Sequence, residues 1–591
     1  MFRPFVLLSA LTAALASPIA HASQAEYDYI VIGGGTSGLV IANRLSENAN
    51  VSVLVIEAGD SVLHNANVTA VDGYGLAFGT GIDWQYQTVN QTYGGKSQMV
   101  MRAGKALSGT SAINGMAYTR AEDVQIDAWQ QIGNRGWTWD SLFPYYLQSE
   151  NLTIPTRSQR LDGATFNTSY NGEQGPLTVG WGEIPTNNLT ATINATFQGL
   201  GVPWSEDVNG GKMRGINIYP ATINVAANVR EDAARAYYWP VAARPNLHLL
   251  LNTFANRLIW QDEAPKGEAV TAAGVELTTA NGTTTVVTAR QEVIISAGSL
   301  KSPAILELSG IGNATLLHKH NISVQVDLPA VGENLQDQTN THAEAATHAT
   351  LAGTKYVVYP DIYDVYGNET AAVAASLRKK LDDYAHAAAA VSHGVITPAH
   401  LKELFEVQYD LIFTQRVPIA EILYYPGGSA SISSESWTLL PFARGNVHIA
   451  SADPAAMPAI NPNFYMFDWD LDSQIAVSRY IRETFHAQPL QGLVEGVTVP
   501  PLEDDASDEE WKAWLLDGNY RSNFHPVGTA AMMPREKGGV VDPSLKVYGT
   551  RNVRVVDASV LPFQVCGHLT STLYAVAERA AELIKQESAL F

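Results

Sequence analysis

Cysteine is almost missing from this chain. Cys566 is the only one in 591 residues, so no disulfide can form within it and stability must come from packing and a bound group. Positive charge is scarce too: 37 Lys and Arg stand against 58 Asp and Glu, for a net charge of −21. An acidic chain repels phosphate backbones, which argues against a nucleic-acid partner. Beyond the N-terminal segment no apolar run approaches transmembrane length, so no membrane span is expected. There are no internal repeats, no low-complexity linker and no G-x-S-x-G, the nucleophile elbow of many serine hydrolases. His318 with His320, or His342 with His348, lack a third ligand at fixed spacing, so no metal site is expected.

What is present fits a soluble protein with large cores, 46% hydrophobic and 16% charged, long enough for two domains or two lobes. Residues 1–22 carry Arg3, an apolar stretch from Phe5 to Ala16 and Ala20-His21-Ala22 at their end, the pattern of a secretory signal peptide. Secretion predicts N-glycans, and eleven N-x-S/T sequons occur, at Asn50, Asn67, Asn90, Asn151, Asn167, Asn188, Asn194, Asn281, Asn313, Asn321 and Asn368. The cluster from 151 to 196 reads as exposed surface, and Asn50, abutting a predicted strand, as unused. Ser507-x-x-Glu510 reads as a capping box opening a helix.

The segment after the signal has an ordered grammar. Tyr27 to Ile32 predicts a buried strand, Thr36 to Leu45 a helix, and Val51 to Ile56 a second parallel strand ending in Glu57. Gly33, Gly35 and Gly38 form G-x-G-x-x-G at the first junction. The first glycine permits the turn, the second lets a pyrophosphate approach, and the third lets helix and strand pack. Gly33, Gly35, Thr36, Ser37 and Gly38 are expected to cradle the pyrophosphate, and Glu57 to accept the ribose hydroxyls. The motif alone does not separate NAD from FAD; its place at the start of the mature chain leans to FAD.

Three further stretches narrow the reading: "RAGKALSGTSAINGMAYTR" (102–120), "GSLKSPAILELSGIG" (298–312) and "NVRVVDASVLPFQVCGHLTSTLYAVAERAAELIK" (552–585). In these the chain resembles the glucose-methanol-choline (GMC) oxidoreductases. The 298–312 stretch matches their second signature, and 102–118 the first, except that Ser108-Gly109 stands where paired glycines are usual. A serine there is expected to tighten or shift the loop over a flavin. In "GYGLAFGTGIDWQYQ", "EDAARAYY" and "NYRSNFHPVGTAAMM" the likeness is greatest to fungal FAD-dependent glucose dehydrogenases, with glucose oxidase more distant.

The resemblance implies a mixed α/β and α+β fold: a Rossmann-type FAD lobe built from discontinuous segments, and a substrate lobe of antiparallel sheet backed by helices. The expected division is 23–65, 225–335 and 526–591 for the FAD lobe, 66–224 and 336–525 for the other. Thr110, Asn114, Gly115, Met116 and Ala117 would line the flavin and ribityl chain, Ala255 the adenine, and Asp557 with Ala558 the ribityl–phosphate region. His525 precedes Pro526, which pushes it toward extended geometry and out of any helix. By the resemblance His525 is the expected base and His568 its partner, with Thr570 or a neighbour capping the last helix. Tyr74, Glu435, Arg521 and Asn523 match sugar-contacting positions. The partners implied are a small sugar and a small electron acceptor. The implied activity is secreted, FAD-dependent oxidation of the C1 hydroxyl of β-D-glucose by a dehydrogenase, with a glucose oxidase or another GMC alcohol or sugar oxidoreductase as the alternative.

Overall fold

The computed structural model describes residues 26–184, 189–261, 268–428 and 430–588. The proposed signal peptide and the Asn188 sequon lie outside the described residues. Two seven-stranded sheets organise the rest. The first runs in the order Leu247–Leu250, Val53–Ile56, Glu26–Ile32, Thr284–Ile295, Ala272–Thr279, Thr253–Trp260, with Val553–Val555 also paired to Thr284–Ile295. Its core is parallel: Ile30 faces Leu54 and Ile32 faces both Ile56 and Ile295. A parallel sheet covered on both faces requires strands that are apolar throughout, and Val53–Ile56 is buried at every position. The expected strand from Val51 begins two residues later, because Ser52 gives both its N–H and hydroxyl to Asp28, at 2.7 and 2.8 Å. Helix Thr36–Leu45, at its expected bounds, crosses between the first two strands and packs on the C-terminal helix Leu569–Ser588. The strands Thr253–Trp260, Ala272–Thr279 and Thr284–Ile295 form an antiparallel meander at the other edge.

The second sheet is antiparallel throughout, in the order Val494–Val499, Thr339–Thr347, Ser431–Thr438, Ala420–Pro426, Tyr356–Tyr359, Gly215–Asn217, with Arg521–Ser522 added to Thr339–Thr347. Helix Asp468–His486 lies across one face and buries Trp469, Val477, Ile481 and Phe485. The other face looks toward the first sheet. A Rossmann-type sheet and a helix-backed antiparallel sheet are the two expected parts.

Smaller expectations divide. Ser507 and Glu510 cap helix Asp508–Leu516 reciprocally, as expected. Asn50, set aside as abutting a strand, is exposed, as are Asn90, Asn151, Asn281, Asn321 and Asn368. Cys566 is fully buried, and burial pushes its thiol pKa well up. Among the described residues no helix is long and apolar enough to cross a membrane.

Candidate active site

One cavity of about 470 Å³ runs from the glycine turn of the first sheet to the open face of the second. All the site residues expected from sequence line it except Gly38. The three glycines explain why. Gly33 has φ +104°, and a Cβ there would lie 2.3 Å from the Ser296 carbonyl oxygen. A Cβ on Gly38 would lie 2.0 Å from the Gly33 carbonyl oxygen, so Gly38 packs helix on turn and does not join the cradle itself. A Cβ on Gly35 would meet only the Gly109 Cα, at an ordinary 3.7 Å. The polypeptide therefore demands glycine at 33 and 38 but leaves Gly35 open toward the cavity, as a ligand pressed against it requires. Gly35 also sits at the helix N-cap with no side-chain hydrogen bond and no acid in the first turn, so unpaired N–H groups and the positive dipole end face the cavity.

Glu57 closes this end. Its carboxylate accepts the N–H groups of Gly34 at 2.9 Å and Gly59 at 2.8 Å. Burial nonetheless pushes its pKa up to about 7, against those donors and Lys105. Asp557 stands at the same cavity beside Ala558. Its oxygens are taken by Gly298 N–H (2.9 Å), Ser302 Oγ (2.6 Å) and Ser559 N–H (2.8 Å) and Oγ (2.5 Å). Its carboxylate is a structural knot, leaving the neighbouring backbone and Ala558 to face a ligand.

The loop 104–117 crosses between the two ends. Ser108 adopts φ +103°, a conformation that suits glycine, and the reason it tolerates it is on its side chain. Its Oγ donates to Asp232 Oδ1 at 2.6 Å and accepts the Ala234 N–H at 2.9 Å, while its own N–H binds Gly34 O at 2.7 Å. The serine tightens the loop against the glycine turn. Asn114 is held by the buried Arg230, whose guanidinium donates to its O (2.7 Å) and Oδ1 (2.8 Å). Asn114 Nδ2 donates to Thr570 Oγ1 at 3.3 Å. Thr570 thus lies inside the first turn of helix Leu569–Ser588 and faces the cavity, where a capping role ahead of the helix was expected.

At the far end the two histidine rings meet edge to face, centroids 5.4 Å apart, with the Trp437 ring against both. His525 is strapped by its backbone. Its N–H donates to Asp337 Oδ1 at 2.9 Å and its carbonyl accepts Gln564 Nε2 at 2.6 Å. Phe524 beside it has φ +61°, and its N–H binds Ser522 Oγ at 2.9 Å. The Nδ1 of His525 lies 2.9 Å from Gln338 Oε1 and 3.0 Å from Asn523 Nδ2. Nδ1–H donating to Gln338 Oε1 is the shorter of these two contacts, with Asn523 held by Asn340, which donates to its Oδ1 at 3.0 Å. That tautomer leaves Nε2 a bare acceptor. Burial first, then the nearby His568 and Arg521, hold the His525 pKa well below 6.5, so the ring is neutral. His568 differs: its Nε2 lies 2.8 Å from Oε1 of Glu421, a fully buried carboxylate. Arg521 pairs with Glu435, and Tyr74 stacks edge to face on Phe78 nearby.

Glu421, Trp437, Asp337, Gln338 and Arg230 were not singled out from the sequence. A signal for Glu421 exists: it is the lone carboxylate in the apolar run "PIAEILYY". The run "NLQDQTN", which holds Asp337 and Gln338, is polar where a core connection passes.

A dinucleotide cradle opening on a paired-histidine pocket defines a redox enzyme that holds its cofactor beside its substrate. The chain belongs to the GMC oxidoreductase family, whose N-terminal pattern matches residues 27–340 and whose C-terminal pattern matches residues 441–577. It is 43% identical over 564 residues, 95% of each chain, to the glucose oxidase-like protein fsoC of Humicola fuscoatra. It is 34% identical over 589 residues, 98% of this chain and 96% of the other, to a glucose oxidase of Aspergillus carbonarius. Its structure is similar to that of an FAD-dependent oxidoreductase from Chaetomium thermophilum, with TM-score 0.86 and 28% identity over 95% of this chain and 100% of that one. FAD is the cofactor, and the open Gly35, the free helix N-terminus and Glu57 fit it. The protein is an FAD-dependent oxidoreductase acting on CH–OH donors.

Proposed function

We propose that this enzyme is a secreted glucose dehydrogenase, oxidising the C1 hydroxyl of β-D-glucose to D-glucono-1,5-lactone and passing the electrons to a quinone or similar small acceptor. The observation that carries the reading is the neutral, strapped His525 sharing one cavity with His568 and with the polar set Tyr74, Glu435, Arg521 and Asn523. Bound FAD supplies the two-electron acceptor. His525 Nε2 takes the hydroxyl proton, and the depressed pKa keeps that nitrogen free to do so near neutrality. His568, its Nε2 held 2.8 Å from Glu421 Oε1, orients the hydroxyl beside His525. The first turn of helix Leu569–Ser588 adds its positive dipole end where negative charge collects. Arg521, Glu435, Asn523 and Tyr74 pair with the remaining sugar hydroxyls, which would be costly to bury unpaired. The lobe division and cofactor contacts expected from sequence form part of this proposal, supported by the membership of the two sheets.

A glucose oxidase, reducing oxygen to hydrogen peroxide, is the second reading, favoured by relatives of that name from Aspergillus carbonarius and Penicillium chrysogenum, each 34% identical. Both share the sugar half of the reaction. Anaerobic glucose added to the purified yellow protein should bleach the flavin, and absence of bleaching sinks glucose as substrate. Colour returning promptly in air marks the oxidase; colour returning only with benzoquinone marks the dehydrogenase. Secretion is supported by the N-terminal segment and is checked by sequencing the mature N-terminus from culture medium.

A further inference from the structure

The cavity-facing side of the second sheet is graded in rows. Strand registers set Glu421, Trp437 and Asn340 side by side, then Leu423, Glu435 and His342, then Tyr425, Ser433 and Glu344. Directly paired residues share a face, and successive rows stand two residues apart, about 6.8 Å. The first row is the histidine row, where Trp437 meets both rings and Glu421 meets His568. The second carries Glu435 with Arg521 upon it. Strand Tyr356–Tyr359 continues the pattern, since Val357 pairs with Leu423. Lys355, two residues back, therefore belongs to the third row beside Tyr425, and both line the cavity.

Lys355 is a cation of this wall that makes no ion pair among the described residues. Its side chain is open to the cavity, its Nζ stands 5.8 Å from the Tyr74 ring centroid, and among the described residues it makes no ion pair or hydrogen bond. The nearby carboxylates are committed, Glu435 to Arg521 and Glu421 to His568. Surrounding protein pushes the Lys355 pKa below its ordinary value, with Glu435 pulling the other way. An ammonium that faces the cavity without an ion pair offers a charge-assisted hydrogen bond to an incoming anion. A pyranose placed with C1 at the first row and its remote hydroxyls at the second would bring its C6 substituent toward the third.

We propose that Lys355 is a specificity-determining residue that recognises a negatively charged group, a carboxylate or phosphate ester, on the sugar carbon remote from the oxidised C1. The inference rests on the sugar-oxidising reading above. Its test compares anaerobic flavin reduction by D-glucose, D-glucuronate and D-glucose 6-phosphate in the wild-type holoenzyme, Lys355→Met and Lys355→Arg. The two acids tell carboxylate from phosphate recognition. The ratio of kcat/KM for the preferred acid to that for glucose should fall about ten- to hundredfold in Lys355→Met, the size of a lost charge-assisted hydrogen bond, and recover in Lys355→Arg. Added salt should weaken the acid and spare glucose. An unchanged ratio in Lys355→Met overturns the proposal. So does a wild-type enzyme that glucose bleaches while neither acid is oxidised or competes. Equilibrium binding of the acids, followed by the flavin spectrum, gives a readout without turnover. If glucose fails to bleach but the acids bind through Lys355, the sugar-oxidation reading falls and the anion site stands; if neither acid binds, the proposal falls with it.

Discussion

The two ends of the cavity are built on opposite plans. The cofactor end is made by contiguous chain: a strand, a glycine turn, a helix and a second strand between Glu26 and Glu57, in which backbone N–H groups and missing side chains do most of the shaping. The substrate end is made by side chains from distant segments. Asp337 and Gln338 strap His525, Glu421 meets His568, and Trp437 touches both rings. The first plan tolerates almost no added atom at two of its glycines. The second depends on buried charges whose partners lie far away in the chain, and its chemistry is set by how each histidine is partnered. One histidine has amides at its ring and is neutral; the other has a carboxylate.

The sharpest break of that contrast is His525→Ala. It should leave the cofactor end intact, with FAD bound at full stoichiometry, and slow anaerobic reduction by glucose about 10²–10⁴-fold. Stopped-flow absorbance reads this directly, and normal reduction in the variant removes His525 from the role of base. The same histidine predicts the shape of the wild-type pH profile. Its neutral form is the active one, and burial with His568 and Arg521 depresses its folded pKa below 6.5. The acid limb of the reduction rate should therefore lie below pH 6.5. The linkage has the same sign: below 6.5 the unfolded chain binds a proton here that the folded one refuses, so this group's contribution to stability is lost as pH falls. An acid limb above 6.5 contradicts the assignment.

At the cofactor end the comparison is sharpened by two glycines three residues apart. Gly38→Ala places a Cβ 2.0 Å from a carbonyl oxygen, a clash that backbone must move to relieve, so little soluble folded protein should be recovered. Gly35→Ala meets nothing closer than 3.7 Å within the chain, so the flavin-free protein should fold and melt as wild type. Its FAD affinity should nonetheless drop, measured by fluorescence titration. Equal FAD affinity in Gly35→Ala and wild type would show that the space beside Gly35 is not reserved for the pyrophosphate.

This contrast also explains what was legible in the sequence. The turn from Gly33 to Gly38, the bounds of helix Thr36–Leu45 and the strip around His525 are local patterns whose physics is complete within a short window. Glu421, Asp337, Arg230 and Lys355 carry no such window. Each matters because of a residue 116 to 188 positions away or because nothing pairs it, and only the folded registers reveal that. Asp557 shows the converse: its place after a strand was readable, while the four donors to its carboxylate were not.

Ser108 is where the two plans meet, and it carries the smallest expected effect. Its φ of +103° costs a non-glycine residue about 1 kcal/mol, offset by the Oγ bonds to Asp232 and the Ala234 N–H. Ser108→Ala keeps the strained backbone and deletes both bonds. The buried Asp232 then retains only backbone N–H partners and Arg235, at a cost of about 1–3 kcal/mol. Ser108→Gly deletes the same bonds but relieves the strain, so the loss should shrink by about 1 kcal/mol. Thermal midpoints at saturating FAD should therefore fall in the order wild type, Gly, Ala, with the glycine the milder change although it removes more atoms. If Ala melts at or above Gly, the left-handed turn at 108 costs a side chain nothing; if Gly melts at or above wild type, the Oγ bonds to Asp232 and the Ala234 N–H are not what offsets that turn.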